Sequence, residues 1–174
     1  FLDLKINDIK QTALSAIDSL KDLKRCSYIT VHANGGLEML KAVKKKAAKT
    51  NKNLKVLGVT ILTSPDNKSL KEIGHTKTLN QLVLKQARLI KKAGLYGIVL
   101  SAKESRIVKK KYKNLFIVTP GIRLPGDTKD DQARVVTPYE ALNKNKANAI
   151  VMGRSLIRGN IKNNIKKLID HLKK

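Results

Sequence analysis

At 174 residues, 41% of them hydrophobic, the chain suffices for one domain with a buried core, and no run reaches the roughly 18 apolar residues of a membrane span. The net charge of +24 invites a nucleic-acid reading, but most of the 37 basic residues are lysines spread over nearly every helical segment, and two Phe, four Tyr and no Trp supply a poor base-stacking platform. Nonspecific binding to polyanions at low salt is expected, specific nucleic-acid recognition is not. The single cysteine, Cys26, excludes an internal disulfide and fits a reducing cytoplasm.

The first element, Phe1–Leu4, reads as a strand. Alternation sends Asp3 and Lys5 to one face and Leu2 and Leu4 to the other. Asp8 follows where a helical pattern starts, so two carboxylates bracket one ammonium at a strand end. A nearby carboxylate favours the charged ammonium, and a charged lysine in a pocket can donate a proton and anchor a developing anion. A plainer role fits the same residues: Asp3 and Lys5 as an ion pair inside a sheet, and Asp8 as a helix cap.

The helix that follows carries Ile9, Leu14, Ile17 and Leu20 on one face. Further strands are expected at Tyr28–His32, Leu54–Leu62, Gly97–Ala102, Leu115–Thr119 and Ala149–Met152, with amphipathic helices between them. Gly94 and Gly159 read as helix stops, and Thr137-Pro138 as a helix start. The last helix lines one face with Ile161, Ile165, Leu168, Ile169 and Leu172. Such alternation means a parallel sheet with crossover helices.

Each strand turns polar or glycine-rich at its C-terminal end: Asp3 and Lys5, His32 with Asn34-Gly35-Gly36, Thr63-Ser64, Ser101, Thr119 to Arg123, and Gly153-Arg154. That is the layout of a (β/α)8 barrel, although an open doubly wound sheet also gathers ligands at its carboxyl edge. Six strands fall short of eight, the length falls short of the ~250 residues of a full barrel, and Phe1 already lies within a strand. The expectation is a single domain over residues 1–174, forming the third to eighth βα units of a TIM barrel whose first two units lie upstream.

Val151-Met152-Gly153-Arg154-Ser155 places a glycine between a strand and a short helix, where backbone N–H groups and Arg154 suit a phosphate. An ordinary tight turn with a solvated arginine is the alternative. The segment from Thr119 to Arg134 is a long polar loop able to close over a ligand, holding two prolines, two glycines, Arg123 and Gln132, the last able to pair with a base edge. Asp127, Asp130 and Asp131 lack calcium-loop spacing and read as solvated. His32 ends a strand and could line the site, but reads first as a hydrogen-bonded structural histidine, and His75 reads as a loop residue. No Cys/His cluster has zinc spacing.

Taken together, Phe-Leu-Asp3-Leu-Lys5-Ile-Asn-Asp8-Ile, Val-His32-Ala-Asn-Gly-Gly, Val-Thr-Ile-Leu-Thr63-Ser, Gly-Leu-Tyr-Gly-Ile-Val-Leu-Ser101-Ala, Thr-Pro-Gly-Ile-Arg123 with Asp131-Gln132-Ala-Arg134, and Val-Met-Gly153-Arg154 resemble the bacterial orotidine 5′-phosphate decarboxylase family in order and spacing. The resemblance implies an enzyme that makes UMP from orotidine 5′-phosphate in pyrimidine biosynthesis, without metal or organic cofactor. Lys5 would give a proton to C6 of the pyrimidine, Asp3 would sit beside the substrate carboxylate, and Asp8 would complete the charged array from the partner subunit of a homodimer. Asp3, Leu4, Lys5, Ile6, Asn7, Asp8, Ile9, Lys10, Gln11 and Thr12 would contact the nucleotide. Thr63 would help hold it, Gln132 would bridge base and phosphate, and Arg123, Gly153 and Arg154 would bind the phosphate.

Two departures stand out. Lys10-Gln11 replaces the family's Pro-Asn, and neither the family's ribose-binding aspartate nor its second active-site lysine, borne on the first two strands, has a counterpart here. Two other readings are open to the sequence: a magnesium-dependent sugar-phosphate decarboxylase or lyase of the same superfamily, and a basic binding module without catalysis.

Overall fold

The computed structural model of the protein describes residues 1–63, 66–128 and 135–173. In chain order its elements are β1 (Leu2–Ile6), α1 (Lys10–Asp18), β2 (Tyr28–His32), a 3-10 turn (Ala33–Gly35), α2 (Gly36–Thr50), β3 (Lys55–Val59), α3 (Asn67–Glu72), α4 (Leu79–Ala93) and β4 (Gly97–Val99). Then come α5 (Ala102–Lys111), β5 (Phe116–Thr119), a π-helical turn (Glu140–Lys144), β6 (Ala149–Ile150), α6 (Arg154–Ile157) and α7 (Ile161–Leu172). Phe1–Thr60 with Gln81–Val99 forms one compact unit, and Ile61–Asn80 with Leu100–Lys174 another.

In the first unit the strands are parallel and pair in chain order, β1 to β2 to β3 to β4. β2 and β3 run in continuous register from Tyr28↔Lys55 to His32↔Val59. Their central residues are buried, as are all three of β4. This is why they read as unbroken apolar runs: helices cover a parallel sheet, so neither side chain direction meets water. β1 differs. Its pairs are Leu2↔Ile29 and Ile6↔Val31, so it advances four residues while β2 advances two, and its middle is exposed. Buried Met39, Leu40, Val43 and Ala47 give α2 its inner face. On α1 that face is narrower than periodicity predicts: Ala13 and Ile17 are buried, but Ile9 precedes the helix and is 72% exposed. Gly58 lets α4 approach β3, because a Cβ there would run into Ile90. Gly94, at φ 70°, ends α4 as its sequence position suggests.

At the start of these strands the rings of Phe1 and Tyr28 meet edge to face at 6.2 Å, and Tyr28 and Tyr96 lie 6.0 Å apart. Lys55 Nζ sits 4.6 Å from the Tyr96 ring centroid. Three of the six Phe and Tyr residues are thus spent on closing the N-terminal ends of the strands.

In the second unit β5 and β6 pair in parallel at Val118↔Ala149 and Thr119↔Ile150. After β5 the chain returns on itself: Ile122 bridges Val136, Arg123 N–H donates to Val136 O at 3.1 Å, and Val136 N–H to Gly121 O at 3.3 Å. The two limbs of the long loop are therefore tied together at their base, over a core of Ala102, Ile122 and Ala141. Helix formation begins at Pro138 as expected. Thr137 and Glu140 form a reciprocal cap, with Thr137 N–H donating to the Glu140 carboxylate at 3.1 Å and Glu140 N–H to Thr137 Oγ1 at 3.3 Å.

Four strands are shorter than the apolar runs suggest. β3 ends at Val59 and β4 at Val99, β5 starts one residue late at Phe116, and β6 is only Ala149–Ile150. Just beyond β3, Thr60 still donates to Val99 O through its backbone N–H at 3.0 Å and its hydroxyl at 3.1 Å, whereas beyond β4 the Ser101 hydroxyl caps α5. The isoleucine stripe of α7 forms as predicted but faces outward, with Ile161 51%, Ile165 43% and Ile169 48% exposed and no residue of the helix buried. Gly159 precedes that helix at φ 72°.

Candidate active site

In the first unit, polar side chains collect where β1 and β2 end. Lys5 and Asp3 do meet, with Nζ 2.6 Å from Oδ2, yet not by simple alternation along an extended strand. Lys5 adopts φ 53°, a left-handed conformation that few residues other than glycine take, and it lies inside the register slip of β1. Its backbone N–H donates to Thr30 Oγ1 at 2.8 Å, and the Thr30 hydroxyl donates to Asp3 Oδ1 at 2.8 Å. Thr30 itself is wholly buried, whereas the Asp3 and Lys5 side chains are each about two-fifths exposed. The ion pair is therefore open to solvent in this chain rather than enclosed in a pocket.

Asp8 does not join the pair. It is exposed, and its Oδ1 accepts from Ile9 N–H at 2.7 Å just ahead of α1. Among the described residues the bracket of two aspartates around Lys5 is thus half formed. His32, at the end of β2, departs from the expectation of a hydrogen-bonded imidazole: its Nδ1 is buried with no partner among the described residues. Burial, and secondarily the positive charge of Lys5, hold the imidazole below its ordinary value of 6.5. Past His32, Asn34 Oδ1 accepts from Gln86 Nε2 at 2.8 Å, which fixes the polar turn to α4. Around Lys5, Leu4, Asn7, Ile9, Lys10, Gln11 and Thr12 are exposed and Ile6 half-buried, so the stretch from Asp3 to Thr12 forms an open polar ledge.

The second unit holds a pocket of about 280 Å3, lined by Arg123, Gly126, Asp127, Thr128, Arg154, Ser155, Arg158 and Asn164. Three guanidiniums around one small cavity make it a place for an anion. Arg123 is buried and donates through Nη1 to Ile122 O at 3.1 Å. Asp127 accepts from Leu124 N–H at 3.3 Å, closing the turn that carries Gly126, so it is more than a solvated carboxylate. Arg154 opens α6, which at four residues is too short to concentrate much dipole at its start. The attraction for an anion lies in the arginine side chains instead. Among the described residues no neighbour demands a glycine at position 153, where a Cβ would meet nothing within 4 Å. Thr63 is buried. Gln132, with Asp130, Asp131 and Arg134, lies outside the described residues.

Sequence reasoning missed four residues. Ser155 is nine-tenths buried, and its Oγ has no partner among the described residues. Asn164 Nδ2 donates to Leu156 O at 3.0 Å and to Arg158 O at 2.7 Å, clamping α6 to α7. Arg158 stands four places after Arg154, one helical turn, a spacing that was available to find it. Thr30 was legible as the lone aliphatic hydroxyl within Tyr-Ile-Thr-Val-His.

Residues 1–167 match the Orotidine 5′-phosphate decarboxylase / HUMPS family. The chain belongs to that family. It is 41% identical over 158 residues to an orotidine 5′-phosphate decarboxylase of Fusobacterium nucleatum, covering 90% of this chain and 66% of the relative. It is 42% identical over 158 residues to the enzyme of that name from Legionella pneumophila, covering 90% of this chain and 68% of the relative. This chain thus spans about two thirds of the length of these family members. Among solved structures, the orotidine 5′-phosphate decarboxylase of Lactobacillus acidophilus superposes with a TM-score of 0.83 at 29% identity, over 100% of this chain and 75% of that one. The orotidine 5′-monophosphate decarboxylase of Sulfolobus solfataricus, at 15% identity and TM-score 0.71 over 98% of this chain and 71% of that one, shares the fold. Six parallel strands with crossover helices are accordingly a part of the family's barrel. Among the described residues no cluster of His, Cys, Asp and Glu suited to a metal ion forms, and no helix is long and apolar enough to cross a membrane.

Proposed function

We propose that the protein decarboxylates orotidine 5′-phosphate to UMP in pyrimidine biosynthesis, in the cytoplasm and with no metal or organic cofactor. The observation that carries this reading is the Asp3–Lys5 pair held at the end of β1 by Thr30, in a chain of this family. When the bond from C6 to the carboxylate breaks, carbon dioxide leaves and the electron pair stays on C6. No neighbouring group of the pyrimidine delocalises that charge, so stabilisation must come from a fixed positive charge beside it. The Lys5 ammonium supplies the charge and then the proton, and the resulting amine regains its proton from water. Asp3 keeps the ammonium in place. The openness of the pair matters here, because nucleotide and partner subunit would displace water from it and strengthen the charge.

Asp8, exposed and unpaired with its own Lys5, is available to the partner subunit of a homodimer, and the partner subunit's Asp8 would complete the array here. The ledge from Asp3 to Thr12 and the buried Thr63 would hold the nucleoside. Gln132 would bridge base and phosphate. Arg123, Gly153 and Arg154 would hold the phosphate in the arginine pocket, with Arg158 adding charge and Ser155 a hydroxyl that has no other partner among the described residues. The test is turnover of orotidine 5′-phosphate by the gene's full product, with and without EDTA. UMP formation indifferent to EDTA is expected. Absence of turnover would refute the assignment, and turnover abolished by EDTA would favour a magnesium-dependent member of the superfamily.

A further inference from the structure

We propose that Thr30 is a positioning residue for Lys5, acting through its hydroxyl and not through its bulk; this rests on the reading of Lys5 as the proton donor. Thr30 lies in the middle of β2, between buried Ile29 and Val31, and is itself fully buried. Its hydroxyl is engaged in both directions. It accepts from Lys5 N–H at 2.8 Å and donates to Asp3 Oδ1 at 2.8 Å, while Asp3 Oδ2 takes the Lys5 ammonium at 2.6 Å. The result is a closed ring through the backbone amide of Lys5, the hydroxyl, both carboxylate oxygens and Nζ.

Each part of the ring has a physical reason. A lysine at φ 53° persists only where its surroundings hold it there. The sheet ladder does not, because the register slips between Leu2 and Ile6, and the Lys5 amide points to Thr30 instead. The same hydroxyl fixes the rotation of the Asp3 carboxylate, which decides where Nζ rests. Valine would fill the space of Thr30 but take from the Lys5 amide and from one Asp3 oxygen the partner that fixes them. Lys5 is then free to return to extended geometry. Extended geometry would still leave Asp3 and Lys5 on one face, but without the hydroxyl the carboxylate of Asp3 loses its fixed rotation, and Nζ its fixed resting place.

Thr30→Val and Thr30→Ser in the gene's full product decide the matter. With the valine, kcat should fall by about tenfold or more while the Kd for UMP stays within about twofold, since a lost charge-assisted contact is felt where the charge is used. Serine keeps the hydroxyl and should restore kcat to within about threefold of the original. Independently of activity, the Lys5 amide and Cα resonances should shift in Thr30→Val and stay in place in Thr30→Ser. Unchanged kcat and unchanged resonances in Thr30→Val would overturn the proposal, as would a serine variant as impaired as the valine one. If no form of the protein turns over orotidine 5′-phosphate, the functional reading fails, while the Lys5 resonances still decide whether Thr30 positions that residue.

Discussion

Arg154→Ala tests the anion pocket most cleanly. Arg154 shares the pocket with Arg123 and Arg158, so its removal leaves two guanidiniums in place. Arg123 is a poorer choice, because its buried guanidinium donates to Ile122 O and its loss would loosen the loop base as well. A hydrogen bond to a charged group contributes about 1.5–3 kcal/mol. With two cations remaining, the lower part of that range applies, about 1.5–2 kcal/mol, or roughly 10- to 30-fold in the Kd for UMP. Uridine lacks the phosphate and should bind the variant within about twofold of the original. Calorimetric titration of both ligands at one fixed ionic strength gives the comparison, because exposed charges are screened by salt. Equal losses for UMP and uridine would show that Arg154 supports the fold of the loop and does not meet the phosphate.

Lys5→Ala should abolish turnover while UMP affinity remains within a few-fold, since the phosphate contacts persist; single-turnover kinetics with orotidine 5′-phosphate is the measurement, and near-normal turnover would remove Lys5 from the chemistry. His32 is held below its ordinary value of 6.5 by burial first and by Lys5 second, so the unfolded chain takes up its proton before the folded one. Its contribution is fully present above about pH 6.5 and is lost as pH falls from there through the folded-state value; denaturant midpoints between pH 5 and 8 should show that slope, and His32→Asn should flatten it. Asn164→Ala removes two hydrogen bonds to carbonyls of α6 and its C-terminal turn and should cost about 1–3 kcal/mol. Its unfolding midpoint should drop by several degrees, and an unchanged midpoint would mean that α6 is held by other contacts.

Strand order and helix alternation were legible because parallel strands buried on both sides leave long apolar runs, of which Tyr28–His32 is the clearest. Strand ends were not legible. Thr60 and Leu100 continue an apolar or neutral run and still donate their backbone N–H groups to Val99 O and Val118 O, so nothing in residue type marks where β3 and β4 stop. The Asp3–Lys5 pair was foreseen, but for a reason that fails: alternation cannot anticipate a residue at φ 53°, which depends on a hydroxyl 25 positions away. The arginine pocket was legible through Gly153-Arg154. Its third guanidinium, Arg158, lies beyond the glycine turn, and the burial of Ser155 is a tertiary property that residue spacing does not carry. Periodicity placed the isoleucines of α7 on one face correctly, yet it cannot tell what, if anything, covers that face.

The Lys5–Thr30 contact also bears on when the protein is competent. β1 is the least buried strand of its unit, and its described pairing to β2 is limited to Leu2↔Ile29 and Ile6↔Val31. A segment with few buried contacts opens at a lower free energy than the core it rests on. The lysine and aspartate assigned to the chemistry are borne on that segment, and their geometry exists only while β1 lies against β2. Within these 174 residues, heating or mild denaturant should therefore undo the Asp3–Lys5 geometry before the sheet of β2, β3 and β4 melts, with amides of β1 exchanging with solvent ahead of those neighbours. A nucleotide that binds only the docked strand draws the equilibrium toward it, in proportion to ligand concentration over Kd. A nucleotide held by Asp3 and Lys5 would thus protect the strand that bears them.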